Sequence, residues 1–292
     1  MNKYFVQGDT MEVRLAKSAG FCFGVKRAVD TVYEQIQTGQ KIYTYGPIIH
    51  NEQVVQELEE QGVTVLHSEA ELEALQEGTV VIRSHGVSKD IYEKMERQGL
   101  RCVDATCPFV KRIHNVVHEK SLEGYQILIV GDLGHPEVEG IRGWCEGNCT
   151  VVRTEAEIRN LQYEKDARIC MVAQTTFNYK KFQELVEIFC EKGYDVSVVD
   201  TICNATEARQ TEARCLAAEV DAMIVIGGAN SSNTRKLYEI CIRECKNTFF
   251  IQSRDDLNFG IPDAAETVGI TAGASTPNNI IEEVQNYVRL NF

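Results

Sequence analysis

Val103-Asp104-Ala105-Thr106-Cys107-Pro108-Phe109-Val110 decides the fold, because the chain writes it again at Val199-Asp200-Thr201-Ile202-Cys203-Asn204-Ala205-Thr206. In both stretches a β-rich run reaches Asp, two residues intervene, Cys follows, and a helical pattern starts at once. A third cysteine shares the downstream context, with Cys22-Phe23-Gly24-Val25-Lys26-Arg27 matching Cys107-Pro108-Phe109-Val110-Lys111-Arg112. Cys22 and Cys107 lie 85 residues apart and Cys107 and Cys203 lie 96 apart, the mark of a threefold repeat of domain-sized units. Each unit puts one thiol between a strand end and a helix start, where the helix dipole favours the thiolate that binds metal. Three thiols cannot fill a four-cysteine site, and a metal centre with one open position is the shape of a catalyst.

Working outward from these junctions, strands and helices alternate over the whole chain. The first unit reads as strand 42–45, helix 51–61, strand 63–66, helix 69–76, strand 79–83 and helix 88–98. The second continues with a helix from Cys107, strand 126–130, a helix from Pro136, strand 150–152, helix 155–161, strand 169–172, helix 179–192 and strand 195–199. The third has a helix from Cys203, strand 222–226, helix 234–245, strand 248–251, strand 268–271 and helix 277–290. This alternation predicts βαβ units with parallel sheets. The fold class is therefore α/β, in three pseudo-symmetric lobes, each a small mainly parallel sheet flanked by helices. The lobes are expected at 11–106, 107–202 and 203–292, with the N-terminal strand within 11–19 joining the third. Residues Met1 to Thr10 fit neither neighbouring pattern, precede a second possible start at Met11, and read as an extension.

With 292 residues, 43% apolar and 25% charged, the chain has the composition of a packed soluble protein. A net charge of −13 and the lack of a long Lys/Arg run argue against nucleic acid or an anionic membrane as partner. No apolar stretch approaches a membrane span, and the N-terminus lacks a signal-peptide pattern, so a cytoplasmic protein is expected. Eleven cysteines in that setting indicate reduced thiols or metal ligands rather than disulfides. The absence of Cys-x-x-Cys weighs against zinc ribbons, thioredoxin-type sites and clustered ferredoxin motifs.

Two further threefold sets follow the strands. Gly46-Pro47-Ile48-Ile49-His50, Gly131-Asp132-Leu133-Gly134-His135 and Gly227-Gly228-Ala229-Asn230-Ser231 each place a polar residue four positions after a strand-ending Gly. Ser84-His85-Gly86, Gln174-Thr175-Thr176 and Gly273-Ala274-Ser275 form the other set. All fall at the carboxyl ends of parallel strands, the edge where α/β folds bind ligands. If the units face one axis, the cysteines form one layer there. His50, His85, His135, Thr175, Ser231, Ser232, Asn233 and Ser275 form a second, a set of hydrogen-bond donors able to hold phosphate without many lysines. Glu137, two residues after His135, is the one carboxylate among them and the candidate proton donor.

The remaining groups read as structural. Cys102 and Cys170 lie in strand runs, and Cys190 and Cys215 in helix interiors. Cys241 with Cys245, and Cys145 with Cys149, have chelating spacing but no second pair to complete a zinc site. His67, His114 and His118 fall on faces away from the junctions, as solvated or structural histidines. Arg27, Arg112 and Arg209 recur after the cysteines and are expected in interdomain ion pairs.

Taken together, Gly20-Phe21-Cys22-Phe23-Gly24-Val25, Gly46-Pro47-Ile48-Ile49-His50-Asn51, Ser84-His85-Gly86-Val87-Ser88, Asp104-Ala105-Thr106-Cys107-Pro108 and Gly134-His135-Pro136-Glu137-Val138 resemble one family. Gln174-Thr175-Thr176, Asp200-Thr201-Ile202-Cys203-Asn204-Ala205-Thr206, Asn230-Ser231-Ser232-Asn233-Thr234 and Ile270-Thr271-Ala272-Gly273-Ala274-Ser275 extend the likeness. It is the family of 4-hydroxy-3-methylbut-2-enyl diphosphate reductases of LytB type, from the non-mevalonate isoprenoid pathway. The resemblance implies a trefoil around an iron–sulfur cluster, [4Fe–4S] in the active form, held by Cys22, Cys107 and Cys203 with one iron open. It implies that His50, His85, His135, Ser231, Ser232, Asn233 and Ser275 grip an allylic diphosphate substrate. Glu137 and Thr175 would serve the proton relay, and a ferredoxin or flavodoxin would donate electrons. Apart from the resemblance, a monomer is expected. Phe23 stands where Ala is common, and Ala229 where many relatives have Lys. Two rivals carry other expectations. An iron–sulfur hydro-lyase would turn over without reductant, and a non-catalytic iron–sulfur sensor would leave the His/Ser/Thr layer unexplained.

Overall fold

The computed structural model describes residues 11–257, 261–262 and 264–291, and the expectation for Met1–Thr10 lies outside them. β1 (Glu12–Leu15) precedes Cys22 and α1 (Phe23–Ile36). There follow β2 (Ile42–Tyr45), α2 (Glu52–Glu60), β3 (Thr64–Leu66), α3 (Glu69–Glu73), β4 (Thr79–Ile82), α4 (Lys89–Arg97) and β5 (Arg101–Asp104). The next stretch is α5 (Pro108–Leu122), β6 (Gln126–Val130), α6 (Pro136–Arg142), β7 (Cys149–Val152), α7 (Glu155–Asn160), β8 (Arg168–Ala173), α8 (Tyr179–Cys190) and β9 (Asp195–Val198). The chain continues through α9 (Asn204–Ala218), β10 (Ala222–Ile226), α10 (Ser232–Glu244), β11 (Thr248–Ile251), β12 (Thr267–Ala272) and α11 (Asn278–Asn291).

One compact unit is formed by residues 22–207, and the other joins the described residues before Cys22 to those from Ala208 onward. The first holds two four-stranded sheets, ordered β3-β2-β4-β5 and β7-β6-β8-β9, and the second holds one, ordered β1-β12-β10-β11. Every pairing is parallel. The three orders are the same once β1, paired to β12, is counted as the fourth strand of its sheet. In each sheet that fourth, edge strand is the one that leads to a junction cysteine.

Burial follows this topology. All residues of β4 and β10 are buried, whereas the edge strands β1, β5 and β9 are partly exposed, as expected for parallel sheets covered on both faces. In the β6–β9 sheet, Leu128, Val130 and Met171 pack on Phe182, Leu185 and Phe189 of α8. Their alternate neighbours Ile127, Ile129, Cys170 and Val172 pack on Ile113 and Val117 of α5 and Val138 and Ile141 of α6. Each such side chain contributes about 1.5–3 kcal/mol, far more than any surface ion pair, so the sheet cores fix the strand ends on which the site rests. Among the described residues no helix is long and apolar enough to cross a membrane.

In every sheet the two central strands are its first and third, and the chain winds away from them in opposite directions. This is the switch point at which open α/β sheets form a crevice at the strand carboxyl ends. His50 and His85 follow the central pair β2 and β4, His135 and Thr175 follow β6 and β8, and Ser231 and Ser275 follow β10 and β12.

Candidate active site

Within residues 22–207 the loops after β2 and β4 are fastened together. The backbone N–H and the hydroxyl of Ser84 both donate to the Ile48 carbonyl, at 3.2 and 3.1 Å. Asn51 caps α2 by accepting from Val54 N–H at 3.1 Å, which sets the residue just before it, His50. The imidazoles of His50, His85 and His135 meet with ring centroids 4.3, 5.3 and 5.6 Å apart, and one nitrogen from each lies within 4.8 Å of the others. Burial pushes the His50 pKa down to about 4, aided by the Arg83 charge. Burial drives His85 well below the usual range, with the two neighbouring imidazoles and Arg83 adding to the effect. His50 and His85 are therefore neutral near pH 7, each with one N–H to donate. Nδ1 of His135 accepts from Glu137 N–H at 3.1 Å, which leaves its proton on Nε2. His85 Nδ1 is buried without a hydrogen-bond partner.

Glu137 lies in the first turn of α6 and is only 1% exposed. Its Oε1 accepts from Thr175 N–H at 2.6 Å and its Oε2 meets the Thr175 hydroxyl at 2.9 Å. Burial raises the Glu137 pKa to about 7, against the lowering effect of both Thr175 bonds. A carboxyl poised there can hold a proton at neutral pH and release it, as a general acid requires. Beside it, Gln174 fixes the strand end by accepting from Asp132 N–H at 3.0 Å. The Thr175 carbonyl accepts from Cys203 N–H at 3.1 Å, so the acid's partner is one backbone hydrogen bond from a junction cysteine.

Cys22 and Cys107 are the N-cap residues of α1 and α5, and Cys203 immediately precedes α9. The Cys107 amide donates to the Ser84 carbonyl at 2.9 Å, the same bond that Cys203 makes to Thr175. The three thiols are electrostatic neighbours: charge on Cys22 and Cys203 opposes ionisation of Cys107, and charge on Cys22 and Glu137 opposes that of Cys203. Burial outweighs the helix-start amides of Phe109 and Val110 and lifts Cys107 to about 11. Cys203 is also raised, by burial against the amides of Ala205 and Thr206. The helix-start amides favour the thiolate as expected, but burial outweighs them. In the protein alone these two thiols stay protonated, and bound iron is needed to deprotonate them.

Gly24 supplies a test of whether this place suits a cluster. A Cβ on it would stand 2.5 Å from the Cys107 sulfur, so only glycine leaves room around that thiol. Soft thiolates at three converging helix starts, with a cradle kept open by a glycine, fit an iron–sulfur group.

Two residues near the site were not singled out from sequence. Arg83 follows β4 directly and lies against the loops of both His50 and His85. His114 of α5, read as solvated or structural, is the structural kind: it is buried and stacks on Trp144 at 5.3 Å and 16°. A Cβ on Gly86, which has φ +70°, would lie 2.5 Å from the His114 ring. Trp144 Nε1 donates to the Val87 carbonyl at 2.9 Å, so this pair underlies the segment that carries His85. A correction concerns the arginines. Arg27 donates to the carbonyls of Thr106 and Asp104, at 2.9 and 3.2 Å, and Arg209 to that of Ala272. Both arginines close junction carbonyls, Arg27 in place of the ion pair expected of it, and Arg112 is exposed.

In the other unit, α10 begins at Ser232 with Ser231 as its cap, accepting from Thr234 N–H at 3.3 Å. Ser231, Ser232, Asn233 and Ser275 are all buried, and Asn233 Nδ2 has no hydrogen-bond partner. A Cβ on Gly273 would meet Thr234 Oγ1 at 2.1 Å and Asn233 Nδ2 at 3.6 Å, so the strand end leading to Ser275 runs beside the start of α10. Cys241 and Cys245 are buried there among Ala213, Met223 and Val225, in keeping with the structural reading of both.

Residues 13–289 match the family described as LytB protein. A 4-hydroxy-3-methylbut-2-enyl diphosphate reductase of Caldanaerobacter subterraneus subsp. tengcongensis is 48% identical over 277 residues, covering 94% of this chain and 95% of the relative. The enzyme of the same name from Clostridioides difficile is 44% identical over 280 residues, 95% of this chain and 99% of its own length. Among solved structures, the E-1-hydroxy-2-methyl-but-2-enyl-4-diphosphate reductase of Plasmodium falciparum superposes with a TM-score of 0.89 at 28% identity, over 96% of this chain and 88% of that one. A second, titled (E)-4-hydroxy-3-methyl-but-2-enyl diphosphate reductase, the terminal enzyme of the non-mevalonate pathway, gives a TM-score of 0.68 at 43% identity, over 96% and 99%. With its three parallel sheets, its junction cysteines and a family match over nearly its whole length, the chain belongs to the LytB family of iron–sulfur reductases.

Proposed function

We propose that this chain catalyses the reductive dehydroxylation of (E)-4-hydroxy-3-methylbut-2-enyl diphosphate to isopentenyl and dimethylallyl diphosphate. One C–O bond breaks, two electrons and two protons are taken up, and water leaves. The observation that carries the reading is Glu137, a buried acid with a pKa near neutrality, bonded to Thr175 through its carboxylate, to His135 through its backbone N–H, and electrostatically coupled to the junction cysteine Cys203. Cys22, Cys107 and Cys203 would hold a [4Fe–4S] cluster with one iron open, which supplies single electrons and Lewis acidity for the departing hydroxyl.

The chain's own residues do the rest. His50, His85 and His135 donate N–H groups to the diphosphate, and the neutral His50 and His85 do so without repelling each other. Support for Ser231, Ser232, Asn233 and Ser275 as further diphosphate donors comes from the shared motifs and the unpaired Asn233 amide. Glu137 holds the proton at the Oε2 that faces Thr175 Oγ1, and the threonine hydroxyl hands it to the leaving oxygen. Anchoring the diphosphate places the allylic end, which turns binding energy into positioning. We further assign lobes to 11–106, 107–202 and 203–292, a ferredoxin or flavodoxin as electron donor, a monomeric state and a cytoplasmic location.

The test is an anaerobic assay of substrate consumption with and without reductant. Reductant-dependent formation of both five-carbon diphosphates, lost in Cys107→Ser, is expected. Turnover without reductant would instead establish a hydro-lyase, and no turnover by a fully iron-loaded protein a sensor. The geometry of the three imidazoles favours one other reading, a metal ion held by His50, His85 and His135. It requires an equimolar non-iron metal that is lost in His85→Ala, and inorganic diphosphate would then fail to compete with substrate.

A further inference from the structure

Arg83 is a cation set into the wall of the histidine site with no counter-charge of its own. Its guanidinium fills the space left by Gly46, where a Cβ would stand 2.2 Å from Nη1, and Gly46 takes φ +73°. Nε donates to the Gly86 carbonyl at 3.4 Å. The side chain is thus wedged between the first residue of the loop that ends in His50 and the residue after His85. Burial works against its charge, and the one neighbour that favours the cation is the Tyr45 phenol; among the described residues no carboxylate does so. An arginine nevertheless remains charged. Its field is felt in the site, for it disfavours protonation of both His50 and His85.

A partly buried guanidinium without a carboxylate is costly, because lost hydration is not returned by an ion pair. A chain of net charge −13 with 43 acidic side chains had every opportunity to supply one. The site that Arg83 faces is the place where a highly charged anion binds in the reading given above, on which this inference rests. We propose that Arg83 is a positioning and affinity-determining residue for the diphosphate. It clamps the His50 and His85 loops in register, and it supplies the long-range positive charge that neutral imidazoles lack. The anion is its missing counter-ion, reached through the field and not by direct contact.

The experiment titrates inorganic diphosphate into the iron-loaded protein by calorimetry at several salt concentrations, with steady-state kinetics alongside. The variants are Arg83→Met, Arg83→Lys and, as the control for the site itself, His50→Asn. The proposal expects His50→Asn to weaken binding and Arg83→Met to weaken it roughly tenfold or more, as loss of a desolvated charge does. Arg83→Met should also flatten the salt dependence and raise KM with little change in kcat, while Arg83→Lys, which keeps the charge, recovers most of the affinity. If His50→Asn weakens binding but Arg83→Met binds like the parent, the inference is wrong and the site reading stands. If Arg83→Lys is as weak as Arg83→Met, the charge is not what matters and the inference again fails. If His50→Asn itself binds diphosphate normally, the site reading falls and the inference with it. Should Arg83→Met not fold, Arg83→Lys still decides, since a loss as large as that of His50→Asn overturns the role of charge.

Discussion

Replacing Glu137 by Gln separates burial from chemistry. The amide has nearly the carboxyl's shape, and its oxygen can still accept from Thr175 N–H. Burial raises the Glu137 pKa from the model-peptide value of 4.5 to about 7, a displacement that corresponds to about 3 kcal/mol. Because the folded-state pKa is raised, the neutral carboxyl's contribution is fully present below pH ~4.5 and is lost as pH climbs to about 7. Above that, the folded protein carries a buried carboxylate that the unfolded chain hydrates freely. The Gln variant does not titrate. Its stability relative to the parent should therefore grow from near equality at acidic pH to an advantage of about 3 kcal/mol by pH ~8. Anaerobic urea unfolding across this range, with both proteins at equal iron content, measures the difference. Turnover should move the other way. The parent's rate should fall as pH rises through about 7, and Glu137→Gln should be slower by roughly 10²–10⁴-fold with no such limb. A stability difference that stays flat from acid to alkaline pH would refute the burial argument. Near-normal turnover with an intact cluster would refute the proton role.

Thr175→Val removes a hydroxyl that lowers the Glu137 pKa, so the falling limb of the pH–rate profile should move to higher pH while the maximum rate drops. Gly24→Ala gains about 1 kcal/mol of helix propensity but presses a methyl onto the Cys107 sulfur, where overpacking costs roughly 1–3 kcal/mol. Iron content and visible absorption should fall with the helical circular dichroism unchanged. In His114→Phe the stack on Trp144 survives while two buried nitrogens without partners disappear. The melting temperature should hold or rise, since each such group costs about 1–3 kcal/mol, and a fall of several degrees would count against the unpaired state.

How much of this was legible in the sequence follows from what each feature depends on. The three cysteine junctions and the strand boundaries rest on local pattern, so they were readable, down to strands such as 42–45, 126–130 and 222–226. The sheet order explains why the His and Ser/Thr sets come in threes, since both follow the central strands of one repeated topology. Arg83 was passed over because nothing near it in the chain signals its role. It follows a strand end, and Gly46, distant in sequence but adjacent across β2 and β4, seats its guanidinium. His114 was placed on a face away from the junctions because α5 alone does not show that Gly86 closes over it. Arg27 was expected to seek a carboxylate, but a strand-to-helix junction exposes carbonyls that its fork satisfies. The thiols show the same limit from the other side. Helix-start amides can be counted from sequence, whereas the desolvation that outweighs them exists only in the fold.

Desolvation is also what lets an acidic chain hold a diphosphate. Three protonated imidazoles at centroid distances of 4.3 to 5.6 Å would repel one another, and an ionised Glu137 beside them would repel the substrate. Keeping water out removes both problems together, because it lowers the histidine pKa values and raises that of the carboxyl, each toward its neutral form. The imidazoles then act as donors without charge, and the carboxyl keeps the proton that the leaving oxygen needs. A neutral donor set binds more weakly than a cationic one, which is why an arginine set behind it, without a carboxylate to neutralise it, matters to the balance. A substitution that lets water reach the three histidines should therefore shift the His50 and His85 titrations and that of Glu137 toward each other at once. Independent movement of the two would mean that burial is not their common cause.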